Sequence, residues 1–156
     1  MKRYLFSLFL PAALVLVLSF GQIAQAINAS QRDCSFSSRG FNSTSYIVDP
    51  DISVSVNNGT STRNCILTYS SEVGATPGDQ VSVAYKVDGV ACTVNGPEYF
   101  HIGNTSSQFE THTNVTVRTL GPGAHTIIPC LRFNDLGGGG NGTVIFRCMT
   151  VECRTN

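Results

Sequence analysis

The chain has 156 residues, ten basic and ten acidic side chains, six Cys and no Trp, which allows one domain or one domain plus an appendage. Its zero charge balance lacks the electrostatic footprint that phosphate recognition needs, and this excludes a basic nucleic-acid binder. With 42% hydrophobic and 13% charged residues it is not a disordered chain, and its length excludes a multidomain enzyme.

Residues 1–26 read as a cleaved signal peptide. Lys2 and Arg3 form a short positive region, and Leu5 to Phe20 are apolar apart from Ser7, Pro11 and Ser19. Ala24-Gln25-Ala26 then places small residues where a signal peptidase cuts. The apolar run is shorter than the ~20 residues that span a bilayer, so no membrane span is expected in the mature chain. Without residues 1–26 the chain loses two of its ten basic residues and carries a net charge of −2. It also loses 18 of its 65 hydrophobic residues, leaving 47 of 130. All six Cys remain, and export places them in an oxidising space outside the cytoplasm, the periplasm or the cell exterior.

Residues 27–51 are rich in Ser and Asn and weakly patterned, a polar leader or an irregular first strand. From residue 52 to 156 a β-domain is expected. Ile52, Val54 and Val56 alternate with serines until Asn58-Gly59, and Cys65, Leu67 and Tyr69 make a second short face. The clearest strand carries Val81, Val83, Tyr85 and Val87, followed by the hairpin dipeptide Asp88-Gly89 and a return through Val90, Cys92 and Val94. Tyr99 to Ile102 is a further short strand. Phe109 to Val117 alternates, Gly121-Pro122-Gly123 turns the chain, and His125 to Phe133 returns. A glycine-rich loop, Asn134 to Gly142, precedes the last strand, Thr143 to Val151. In the mature chain Val, Ile and Thr number 36 against 14 for Ala, Leu, Glu and Lys, so the class is all-β. Seven to eight short antiparallel strands in roughly 100 residues suit a two-sheet sandwich.

Three stretches resemble an immunoglobulin-like β-sandwich. They are Thr76-Pro77-Gly78-Asp79-Gln80-Val81-Ser82-Val83, then Val115 to Val117 running into Leu120-Gly121-Pro122-Gly123, then His125 to Phe133. The likeness spans about residues 52–151 and implies the fold alone. The chain has no Trp to pack on a disulfide, and its Cys spacing is not that of antibody domains. Such sandwiches host many functions, so none is carried over.

Cys34, Cys65, Cys92, Cys130, Cys148 and Cys153 are expected as three structural staples. Cys92–Cys130 is the first choice of pair, with Cys92 facing inward beside Val90 and Val94, and Pro129 re-aiming Cys130. Cys148 follows Val144 and Phe146 on one face, whereas Cys153 follows Met149 and Val151 on the other. They therefore do not pair with each other, and Cys34 and Cys65 are their natural partners.

The chemistry that can be sought is sparse. Glu110 and His112 are two apart on a strand and share a face. With His101 or His125 they could gather as a metal site, although the spacings match no compact ligand motif. Asp49, Asp51 and Asp135 match neither calcium-loop pattern and read as turn residues. Neither the nucleophile elbow G-x-S-x-G nor H-E-x-x-H occurs, no catalytic residue is assigned and no cofactor is expected. Six asparagines head N-x-S/T sequons, namely Asn28, Asn42, Asn58, Asn104, Asn114 and Asn141, where about two would arise by chance. Asn58, Asn104 and Asn141 fall in expected loops that suit glycans.

The leading expectation is a secreted, non-enzymatic binding module whose partner is a protein or a carbohydrate. Its recognition loops would be Asn95–Pro97, Gly103–Gln108 and Asn134–Gly142, with Tyr99, Phe100 and Phe109 able to stack on a sugar. The rivals are a metal-binding protein or metalloenzyme built on His101, Glu110, His112 and His125, and a structural surface protein without a discrete ligand.

Overall fold

The computed structural model describes residues 29–75, 78–93, 99–102, 109–136 and 140–155, with 99–102 described by backbone path only. The expected signal peptide lies outside these residues. Among the described residues there are ten strands: β1 Ala29–Ser35, β2 Arg39–Phe41, β3 Ile47–Val48, β4 Val54–Asn57, β5 Arg63–Gly74, β6 Gln80–Val87, β7 Tyr99–Ile102, β8 Glu110–Leu120, β9 Ala124–Asn134 and β10 Gly142–Arg154. They form two antiparallel sheets. Sheet A has the order β1-β10-β5-β8 with β2 also on β10, and sheet B the order β3-β9-β6-β7 with β4 also on β9.

Strands distant in sequence pair. β1 lies on β10, β4 on β9, β5 on β8 and β6 on β7, with the four pairs alternating between sheets A and B. The chain is one long antiparallel ribbon, doubled back after β6 and rolled up, which is the winding of a jelly roll. The likeness to immunoglobulin-like domains thus holds for the two-layer architecture. Three disulfides staple it, Cys34–Cys148, Cys65–Cys153 and Cys92–Cys130.

Alternation explains the core. Cys65, Leu67, Tyr69 and Val73 of β5 point inward against Val81, Val83 and Tyr85 of β6, and Ile127, Leu131 and Phe133 of β9 complete the layer. Gly142 opens β10 because a Cβ there would stand 2.9 Å from Phe41 Cζ and 3.0 Å from Phe133 Cδ2. Pro129 sits in β9 where β3 has ended and β4 has not begun. That gap asks for no ladder N–H, and the Pro129 carbonyl accepts from the Asp49 amide at 2.9 Å.

The structure departs from the sequence reading in three places. Residues 29–48 supply three strands, β1 and β2 on β10 and β3 on β9, although their Ser, Asn and Arg content gave no alternation. Asp88-Gly89 does turn the chain, with positive φ at both residues and Val90 N donating to Val87 O at 2.9 Å. The return strand through Val90 and Cys92 does not form; among the described residues only a bridge between Tyr85 and Thr93 remains, and Val90 is exposed.

The third departure has the largest consequence. The register of β10 on β5 shifts between Ile145 and Cys148, and Phe146 has φ 46°. This bulge inserts one residue and exchanges the faces beyond it. Val144 points inward before the bulge, and Arg147, Met149, Val151 and Cys153 point inward after it. Cys148 therefore turns outward, away from the face of Val144 to which alternation assigned it.

Candidate functional site

The bulge delivers a guanidinium to the interior. Arg147 and Asp49 are both fully buried. Arg147 Nη1 donates to Asp49 Oδ1 at 3.0 Å and Oδ2 at 2.9 Å, and Nη2 donates to Asp51 Oδ2 at 2.8 Å. The same Nη2 reaches Ser35 Oγ at 3.0 Å and Ser37 Oγ at 2.9 Å. Ser35 and Ser37 stand where β1 gives way to β2, and Asp49 and Asp51 where β3 gives way to β4. One side chain thus clasps the edges of both sheets, beside a second link from Ser53 N to Asp33 Oδ2 at 2.8 Å. Burial raises the Asp49 carboxyl above its ordinary value, with Arg147 pulling the other way. The hydrogen bond from Arg147, then that from Ser37, lowers Asp51. The Asp49-Pro50-Asp51 carboxylates are committed to this clasp.

The disulfides occupy three settings. Cys65 opposes Cys153 directly across β5 and β10 within the core. Cys34 opposes Cys148 directly across β1 and β10 on the outward face. Cys92 bonds Cys130 as expected, but from the other side. Cys130 alternates with the inward Pro129 and Leu131, so the bridge lies on the outer face of sheet B. Pro129 does not re-aim it, and Arg118 Nη2 anchors the approaching segment through Thr93 O at 2.6 Å and Thr93 Oγ1 at 2.8 Å.

The outer face of sheet A carries exposed apolar side chains alongside the charged Arg32, Glu72, Glu152 and Arg154. Val115 and Val117 on β8 are 53% and 57% exposed, and Phe146 on β10 and Phe36 after β1 are 51% and 76% exposed. The two phenylalanines meet edge to face at 6.1 Å between centroids. Val115 is opposite Thr68 and Thr68 opposite Thr150, while Val117 is opposite Ile66 and Ile66 opposite Glu152. Four large apolar side chains are thus open to water along this sheet.

The loops expected to carry recognition are Asn95–Pro97, Gly103–Gln108 and Asn134–Gly142. Residues 95–97, 103–108 and 137–139 lie outside the described residues, as do the side chains of Tyr99 and Phe100. Phe109 is half exposed, and Leu136 is exposed while its amide donates to Asp79 Oδ1 at 2.8 Å.

Glu110 and His112 do pair, with Oε2 and Nε2 3.3 Å apart. His125 does not join them. His112 is near the start of β8 and His125 folds against Gly121 beyond its end, so roughly 25 Å of strand separates the two. Among the described residues no three His, Cys, Asp or Glu side chains gather as a set of metal ligands. The side chain of His101 lies outside the description.

His125 instead bridges two turns. Its Nδ1 stands 2.7 Å from Asp88 Oδ2 and its Nε2 2.9 Å from Gly121 O. Both partners are acceptors, so the bridge is complete only when both ring nitrogens carry protons, in the imidazolium form. The hydrogen bond that His125 donates to Asp88 raises His125 above its ordinary value, and the same contact lowers Asp88. The raised histidine contributes fully below its unfolded value of ~6.5 and loses that contribution as pH rises through its folded value. The lowered aspartate contributes fully above ~3.9 and loses it as pH falls. Because Asp88 is exposed, the pair is worth at most about 1 kcal/mol. Chemical denaturation near pH 5.5 and pH 8 is expected to show wild type losing part of its advantage over His125→Gln at the higher pH. Parallel profiles would contradict the bridge.

Two sequons are closed by packing. Asn58 is fully buried and donates Nδ2 to Leu120 O at 3.2 Å and to Gly121 O at 3.0 Å, so the nitrogen that a glycan would occupy is used inside. Asn114 is buried and accepts from Tyr85 Oη at 2.9 Å. Asn42 and Asn141 are exposed, and Asn28 and Asn104 lie outside the described residues. The expected loop at Asn58 is real, but its side chain turns inward.

No protein-family model matches the chain, and no curated protein matches its sequence. Three disulfides accord with an oxidising space outside the cytoplasm. Among the described residues no helix is long and apolar enough to cross a membrane.

Proposed function

We propose that the chain is a secreted binding module that docks an exported protein on the outer face of sheet A. The observation that carries this reading is the exposure of Val115, Val117, Phe36 and Phe146 on one rigid face. Burying that apolar surface against a partner would supply the driving force, and the surrounding Thr hydroxyls would serve as a polar rim. Like immunoglobulin-like modules, the sandwich would act as a rigid scaffold that presents recognition residues. A protein partner fits better than a sugar, because aliphatic side chains make up half of the exposed apolar set and offer no stacking surface.

The test uses the mature domain immobilised against the secreted and surface fractions of its source, with a glycan array in parallel. A partner protein retained by wild type and weakened at least about tenfold by Val115→Glu with Val117→Glu is the expected result. Both positions are exposed, so the variant should keep its unfolding midpoint. A partner retained equally by both proteins, or binding to the array alone, would overturn the reading.

A further inference from the structure

The Cys34–Cys148 bridge differs from the other two in its surroundings. Cys65 and Cys153 are fully buried and partly exposed Cys92 bonds a fully buried Cys130, whereas Cys34 and Cys148 both reach solvent on the outward face of sheet A. The exposed guanidinium of Arg32 lies across this bridge. Its Nε is 3.1 Å from Cys34 Sγ and its Nη2 is 3.1 Å from Cys148 Sγ, so each sulfur has its own N–H. A neutral disulfide sulfur is a weak acceptor and gains little from a cation. A thiolate gains far more, because an adjacent guanidinium stabilises its charge and makes it a better leaving group.

Contacts other than the bridge also hold β1 on β10. β1 is paired with β10 from Ala29↔Cys153 to Ser35↔Arg147, and Arg147 holds Ser35 from inside. With these contacts in place the sandwich is expected to stay closed when the sulfur–sulfur bond opens, so that exchange would run on the folded protein. We propose that Cys34–Cys148 is a thiol–disulfide exchange site for small-molecule thiols, with Arg32 stabilising the departing thiolate.

The chemistry balances with thiol as the only co-reactant. An incoming thiol gives its proton to solvent, and its thiolate attacks one of the two sulfurs. A new S–S bond forms there, the Cys34–Cys148 bond breaks, and the other cysteine leaves with the electron pair as a thiolate beside Arg32. The product is a mixed disulfide on one cysteine. A second thiol can then displace the chain sulfur, releasing the small-molecule disulfide. The chain has gained two electrons and two protons, and two thiols have been oxidised.

Native protein would be incubated with graded concentrations of a small monothiol, trapped by alkylation and mapped by peptide mass spectrometry. Cys34 and Cys148 are expected to be modified at least about tenfold faster than the other four cysteines while the fold persists. Arg32→Gln, an exposed substitution, should slow this exchange at least about threefold at neutral pH without moving the unfolding midpoint. The proposal is overturned if the three bridges open together, if Cys92–Cys130 opens first, or if Arg32→Gln exchanges at the wild-type rate.

Discussion

Arg147→Ala is expected to destabilise the domain by about 3–5 kcal/mol, because it strands the Asp49 carboxylate between the sheets. That is a large part of the ~5–15 kcal/mol typical of a whole domain. Loss of the guanidinium also frees Asp51, Ser35 and Ser37, so the cost includes loosening of both sheet edges. Unfolding in denaturant measures it, and pH supplies a second readout. The stranded carboxyl would have a folded pKa above its unfolded value, so its penalty is present at neutral pH and fades as pH falls toward ~3.9. The gap between variant and wild type should therefore narrow as pH falls from neutral toward ~3.9. Replacing Arg147 and Asp49 together by Met and Leu should recover most of the loss, because a pair of well-packed apolar side chains often matches a buried ion pair. A variant that unfolds like wild type would show that the clasp contributes no net stability.

The second large effect is expected at Cys65–Cys153. This bridge closes 88 residues, and removing it with Cys65→Ala and Cys153→Ala releases the unfolded chain by about 4 kcal/mol. The two sulfurs are also core atoms, packed in the same cluster as Leu67 and Val151, so their loss leaves space among close-packed side chains. Thermal and denaturant unfolding of the double variant should show the drop with Cys34–Cys148 and Cys92–Cys130 intact by mass. A loss below about 1 kcal/mol would mean that the unfolded chain is already restricted by the remaining bridges.

Most of the sheet framework was legible because β4, β5, β6 and β8 each keep a period of two, because β9 and β10 are long β-branched and apolar runs, and because Asp88-Gly89 and Gly121-Pro122-Gly123 mark turns. Cys92–Cys130 was legible as a pair but not in its direction, since that depended on a return strand that does not form. β1 to β3 were not legible as strands. They run along sheet edges, where one neighbour suffices and an apolar row is not required. The clasp was missed for a different reason. Val144 and Met149, Val151 and Cys153 sit on opposite parities of one run, and only an inserted residue can put them on one face. That break in phase was present in the sequence and marks the bulge; without it, Arg147 reads as a solvent-facing charge. The outer-face patch hid because Val115 and Val117 look like core residues in an alternating strand, while the smaller polar Asn114 and Thr116 face inward.

The winding of the ribbon also imposes a timetable on synthesis. Because β1 lies on β10, the first strand made waits for the last, and Cys34 meets a partner 114 residues later. Cys92–Cys130 spans 38 residues and is the first native bridge whose two ends have both been made. Until the final strand arrives, Cys34 and Cys65 travel as free thiols, open to pairing with each other. A chain wound this way relies on an environment that can reshuffle early bonds as well as form them.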